Sequence, residues 1–202
     1  MRVGVLASGE GTNLQAIIDR LHGRDAIAVV AVGSDKPGVR ALARAEAAGV
    51  ATRVFEQPGR AERDAAIADW LREHGVELVV LAGYMALLDA AFLGRFRDRV
   101  LNVHPSLLPA FTGVRAIEQA LDYGVKVFGV TVHLVDEGVD TGPIVLQEAV
   151  ALPGATDADA VHAALRPLEH RLLPEAVRLA AAGRLRRDPA HPRRVLTDRG
   201  GD

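Results

Sequence analysis

Cysteine is absent from this 202-residue chain, which excludes disulfides, thiolate metal sites and a cysteine nucleophile and removes any sign of an oxidising compartment. A cytoplasmic location fits that absence. No apolar run approaches membrane-spanning length, and the opening Met1-Arg2-Val3-Gly4-Val5-Leu6 reaches Ser8-Gly9-Glu10-Gly11 too soon for a signal-peptide hydrophobic region. An excess of one charge is missing too. The formal net charge is −2 with acids and bases interspersed, so there is no general polyelectrolyte surface for nucleic acid. The exception is the end of the chain, where Arg184, Arg186, Arg187, Arg193, Arg194 and Arg199 gather among Pro, Gly and Asp. Residues 186–202 are therefore expected to be a polar, flexible tail. Repeats, long linkers and low-complexity blocks are lacking before it, and the length suits one core, so residues 1–185 are expected to form a single domain.

What is present is an alternation of short apolar runs and helical periodicity. Val3 to Ala7 ends in glycines, and Leu14, Ile17, Ile18 and Leu21 then fall on one helical stripe. The pattern repeats through a strand at Ile27–Val32, a helix at Val39–Ala48, a strand at Thr52–Phe55, a helix at Ala61–His74, a strand at Leu78–Leu81 and a helix at Ala90–Phe96. A strand at Val100–Val103 follows, and such alternation predicts a parallel α/β sheet with active groups at strand C-termini. Beyond Pro109 the pattern gives a helix over Ala116–Tyr123 and two β-rich runs, Lys126–Val135 and Ile144–Val150, expected as an antiparallel extension. Thr156 or Asp157 would cap a last helix from Ala158, with Pro167 and Pro174 marking a kink or a break before Ala182.

Three clusters carry chemistry. In Leu101-Asn102-Val103-His104-Pro105, alternate side chains of an extended segment share a face, so a carboxamide donor and an imidazole leave the strand together. Pro105 biases His104 toward extended geometry. That pairing suits acyl-type transfer, in which charge develops on a carbonyl oxygen and a proton must leave the attacking nucleophile. Asp136-Glu137-Gly138-Val139-Asp140-Thr141-Gly142-Pro143 demands a tight loop. By itself it is either an acidic surface turn or a device that aims Asp140 at His104, orienting the ring and favouring its charged form. His133, one histidine on a mostly apolar strand, reads as structural. The third cluster, Ser8-Gly9-Glu10-Gly11-Thr12-Asn13, lies between strand and helix and is either only a tight connection or a site where backbone N–H groups and the helix dipole hold an anion. A dinucleotide is disfavoured there, because the third glycine of its fingerprint is replaced by Leu14 and no P-loop lysine follows.

Over nearly the whole chain these residues resemble the folate-dependent formyltransferases. The likeness rests on the Ser8–Asn13 loop followed by Leu14-Gln15-Ala16-Ile17, on Leu81-Ala82-Gly83-Tyr84-Met85, on Asn102 to Pro109, on Asp140-Thr141-Gly142-Pro143 and on Leu168-Glu169-His170. The glycine loop and Glu169 point to the branch that acts on glycinamide ribonucleotide. The resemblance implies a Rossmann-like fold and transfer of formyl from 10-formyltetrahydrofolate to that primary amine, in de novo purine biosynthesis, with no metal. It implies catalytic roles for Asn102, His104 and Asp140. It implies a folate site from Arg60, Met85, Ala86, Leu87, Leu88 and Asn102 with the loop Asp136, Glu137, Gly138, Val139 and Asp140. Gly11, Thr12 and Asn13 would hold the substrate phosphate, and Arg166 and Glu169 its ribose and glycinamide. Small molecules are then the expected partners, without nucleic acid or membrane, and a homodimer is compatible. Ala86 stands where an arginine is common, Thr112 replaces a usual proline and Arg115 a frequent histidine, which puts loop closure and folate affinity in doubt. The nearest rivals within the group are the formyltetrahydrofolate hydrolases and the methionyl-tRNA formyltransferases, whose usual extra domains are not expected in this chain. A noncatalytic nucleotide-binding module would leave His104 and Asp140 without a role.

Overall fold

The computed structural model describes residues 1–197. Its elements are β1 (Arg2–Leu6), α1 (Thr12–Leu21), β2 (Ala28–Ser34), α2 (Arg40–Ala47), β3 (Ala51–Val54), α3 (Arg60–Glu73), β4 (Leu78–Leu81), α4 (Ala90–Arg95), β5 (Val100–His104), α5 (Ala116–Tyr123), β6 (Val127–Leu134), β7 (Ile144–Ala151), α6 (Ala158–Ala181), β8 (Leu185–Arg187) and β9 (Val195–Thr197). The first seven strands are hydrogen-bonded in the order β3-β2-β1-β4-β5-β6-β7, and β8 pairs with β9. The expected α/β class, mainly parallel with an antiparallel C-terminal extension, is what the chain adopts.

Contacts divide the chain into two compact units, Met1–Asn102 and the residues from Val103 on. In the first, β1 to β5 are parallel throughout. Such strands are covered on both faces and so read as continuous apolar runs; Val3, Val5, Leu6, Val79 and Val80 are buried accordingly. Each buried Val, Leu or Ile is worth roughly 1.5–3 kcal/mol against exposure. One charge lies in this core. In α3 the buried stripe runs Asp64, Ile67, Ala68, Leu71, the i, i+3, i+4, i+7 positions of one helix face, so an aspartate occupies an apolar position.

In the second unit β6 and β7 form an antiparallel pair in which Val127 faces Ala151 and Thr131 faces Gln147. Helix α6 packs on both strands. Its N-cap is Asp157, whose side chain accepts from the Ala160 N–H at 2.8 Å. The helix runs unbroken through Pro167 and Pro174, where the prolines predicted a kink or a break. Val161, Leu165, Leu172, Leu173, Ala176 and Val177 are buried along its length, and that burial outweighs the hydrogen bonds the prolines remove.

The residues expected as a polar tail, 186–202, include two short strands as far as they are described. Leu185–Arg187 and Val195–Thr197 pair antiparallel, Arg186 facing Leu196. The intervening turn closes on Asp188, whose carboxylate accepts from the Ala190 N–H at 2.9 Å and whose N–H donates to Arg194 O at 2.9 Å. Strands of three residues carry almost no periodicity, which is why composition alone suggested disorder. Residues 198–202 of the expected tail lie outside the described residues.

Candidate active site

The loop after β1 is built to present a helix terminus. Gly11 takes the left-handed φ of 71°, and α1 begins at Thr12 with no side-chain cap and no acid in its first turn, so its N-terminal amides and dipole favour an anion. The loop is braced from behind. The Ala41 N–H donates to Gly9 O at 3.1 Å, and Arg44 donates from Nε to Glu10 O at 2.9 Å and from Nη1 to Gln15 Oε1 at 3.1 Å. A Cβ on Gly11 would stand 2.7 Å from Ala41 Cα. Gly11→Ala therefore combines left-handed strain with overpacking and is expected to cost about 2–4 kcal/mol of stability in a denaturant titration; a loss below about 0.5 kcal/mol, the usual scale of surface changes, would refute the close packing.

Ser8 ties this loop to the segment after β4. Its hydroxyl donates to Asp35 Oδ1 at 2.5 Å and accepts from the Met85 N–H at 2.9 Å. The same segment is gripped by α3. Arg60 donates to Leu88 O, Arg63 to Leu87 O at 2.8 Å, and the buried Asp64 accepts both from Arg63 and, at 2.7 Å, from the Asp89 N–H. Leu88 is buried, while Met85 and Leu87 are 61% and 56% exposed. Two large apolar side chains are thus held in solvent on a clamped backbone, with Ala86 between them partly exposed. Burial pushes the neighbouring Tyr84 phenol above its ordinary range, so it stays protonated.

At the end of β5, Asn102 and His104 are alternate residues of one extended strand and so share its face. His104 is buried. Its Nδ1 lies 3.3 Å from Asp140 Oδ2 and its Nε2 2.8 Å from Phe111 O. A carboxylate and a carbonyl both accept, so the ring has an acceptor beside each of its nitrogens. The segment that follows is fixed by Thr131, whose hydroxyl donates to Ser106 O at 2.7 Å and accepts from the Leu108 N–H at 3.2 Å, and from Gln147 Nε2 at 2.8 Å.

Asp140 has a left-handed φ of 52°, tolerable for aspartate but sparsely populated. Its Oδ2 also accepts from the Gly113 N–H at 2.7 Å, and its Oδ1 lies 3.5 Å from His133 Nε2. Burial alone would raise this carboxyl; the His133 hydrogen bond, the Gly113 N–H and the charges of His104 and His133 together hold it below the usual carboxylate range. The loop before it is self-built, since Asp136 Oδ1 accepts from the Gly138 N–H at 3.2 Å and the Thr141 hydroxyl at 2.6 Å. Glu137, Gly138 and Val139 form its exposed crest.

Of the residues singled out from sequence, His104 and Asp140 meet directly, and Arg60 meets the backbone of the Met85–Leu88 segment. Thr12 and Asn13 open α1 beside Gly11. Arg166 and Glu169 lie one turn apart on α6, Arg166 exposed and Glu169 buried. His133 was read as structural; the structure places it on Asp140, with its Nδ1 at 2.9 Å from Leu134 O. The signal was there in the alternation Val130, Thr131, Val132, His133, Leu134, which puts Thr131 and His133 on one face. Arg63, Asp64, Phe111 and Gly113 were also missed. Among the described residues no group of three or more His, Cys, Asp or Glu is arranged to hold a metal ion, and no helix is long and apolar enough to cross a membrane.

A mainly parallel sheet with flanking helices, and an imidazole meeting a carboxylate at a strand end, define an α/β protein with a candidate acid–base centre. The Formyl transferase family profile matches residues 1–177. The chain belongs to that family. It is 41% identical over 182 residues to the phosphoribosylglycinamide formyltransferase of Bacillus subtilis (strain 168), covering 88% of this chain and 93% of that protein. It is 43% identical over 189 residues to the trifunctional purine biosynthetic protein adenosine-3 of Bos taurus, where it spans 92% of its own length but only 19% of that protein's. A crystal structure of glycinamide ribonucleotide transformylase 1 from Symbiobacterium toebii superposes with a TM-score of 0.93 at 47% identity, covering 98% of this chain and 93% of that one.

Proposed function

We propose that this chain is a phosphoribosylglycinamide formyltransferase, a cytoplasmic enzyme that moves the formyl group of 10-formyltetrahydrofolate onto the amine of glycinamide ribonucleotide in de novo purine biosynthesis. The observation that carries the reading is the buried His104–Asp140 contact at the end of β5, a proton-handling pair that a mere nucleotide-binding module has no use for. The names of the Bacillus subtilis relative, phosphoribosylglycinamide formyltransferase, and of the Symbiobacterium toebii structure, glycinamide ribonucleotide transformylase 1, support the choice of acceptor.

The donor, when bound, supplies a one-carbon acyl group at the oxidation level of formate. The exposed Met85 and Leu87, on a backbone clamped by Arg60 and Arg63, suit one face of its flat ring system, and the polar backbone of residues 136–140 suits the ring edge. Asn102 donates to the formyl oxygen as negative charge builds there, and an imidazolium at His104 adds a charged donor and a proton. Asp140 orients that ring and balances its charge. For His104 Nε2 to reach a substrate atom, the Phe111 carbonyl must give way. Gly11, Thr12 and Asn13 hold the phosphate, and Glu169, with Arg166, faces the ribose and amine end.

The test is an assay of the purified protein with both substrates, following formylated nucleotide and free formate separately. Product that requires the amine supports transfer. Formate released at the same rate without the amine would instead identify a hydrolase, and binding of both compounds without product would identify a noncatalytic protein.

A further inference from the structure

We propose that the C-terminal hairpin belongs to the catalytic apparatus, with Arg193 a positioning residue that pins the peptide immediately after Asp140. The inference deepens the formyl-transfer reading of that site and rests on it. Two contacts tie the hairpin to the loop. Arg193 Nη2 donates to Thr141 O at 2.7 Å, and Arg194 forms a parallel bridge with Ile144. They bracket residues 141–144, the stretch that leads from Asp140 into β7.

Asp140 needs such bracing. A non-glycine residue at a φ of 52° keeps that conformation only where its surroundings hold it. From within the loop, Thr141 is held through its side chain, which donates to Asp136 Oδ1 at 2.6 Å. Its carbonyl is held from outside by Arg193. Gly142 then enters a tight passage, where a Cβ would lie 1.7 Å from Leu134 O, so displacement at Thr141 is passed to Asp140 rather than absorbed downstream. The hairpin can bear the load because its turn is closed on Asp188, with Arg194 N–H donating to His191 O at 2.8 Å and His191 Nδ1 at 3.3 Å from the Asp188 carboxylate.

The experiment compares Arg193→Ala, Arg193→Lys and the unaltered protein in steady-state kinetics and in amide hydrogen exchange of residues 136–143. Arg193→Ala is expected to lower kcat about tenfold, a fraction of the hundredfold that misplacement by about 1 Å can cost. The KM for the amine nucleotide should stay unchanged, and exchange at Thr141 and Gly142 should quicken. A lysine can still donate to the carbonyl and should restore most of kcat, a rescue that bulk stabilisation by a guanidinium would not give. If Arg193→Ala does not fold, Arg193→Lys against Arg193→Met makes the same comparison between side chains with and without a donor. Equal kcat and equal exchange in donor-bearing and donor-less variants would overturn the proposal. If the unaltered protein proves inactive, the functional reading has failed, while the exchange measurement still decides whether Arg193 braces the loop.

Discussion

His104→Gln is expected to lower kcat by about a thousandfold, or about 4 kcal/mol in barrier, while leaving the affinity for the amine nucleotide near its original value. The imidazole has two tasks in the proposed reaction, presenting a charged donor to the formyl oxygen and holding a proton that can be released. An oxyanion donor alone is worth roughly a hundred- to a thousandfold and a positioned acid or base a similar amount. Glutamine keeps an N–H that can reach the Phe111 carbonyl, so the buried oxygen is not abandoned and the fold should survive. It has no proton to give. His104→Ala should show the same kinetic loss with a larger fall in melting temperature, because it also empties a buried site. A glutamine variant with more than about a tenth of the original kcat would mean that His104 serves only packing, since even modest acid–base roles exceed that margin.

Much of the fold was legible in the chain, and the features that were not share a physical cause. The alternation of apolar runs and helical stripes gave β1 to β5 with ends displaced by at most two residues, because parallel strands buried on both faces leave strong local signals. Asn102 and His104 were legible for the same reason, as two residues of one strand. What escaped was set by distant pairing. His133 precedes Asp140 by seven residues, and only the return of the Asp136–Pro143 loop brings the carboxylate back onto it. Asp64 sat in plain view on the apolar stripe of α3, yet its partner, the Asp89 N–H, is 25 residues away. The hairpin of β8 and β9 was invisible because three-residue strands draw their stability from where they dock, not from pattern.

Asp140→Asn separates charge from geometry at the same centre. The substitution keeps size and one oxygen that can accept from the Gly113 N–H, but it removes the negative charge that lies against His104 and His133. His104 then lacks its neighbouring carboxylate charge, and kcat is expected to fall by about a hundred- to a thousandfold. The pH dependence fixes the cause. The folded protein holds Asp140 below the usual carboxylate range, so the unfolded chain binds the proton first as pH falls. Stability from this carboxylate is complete above the ordinary carboxylate value and drains away as pH drops through the lower value of the folded state. The melting-temperature gap between the original protein and Asp140→Asn should therefore be constant from neutrality into mild acid and close only at lower pH. Asp140→Glu keeps the charge but needs another methylene in a loop held by Gly142 and Thr141, and it should lose kcat through misplacement while retaining the acid-dependent gap. A gap that does not change with pH would show that Asp140 binds its proton equally in the folded and the unfolded chain, against the lowered carboxyl.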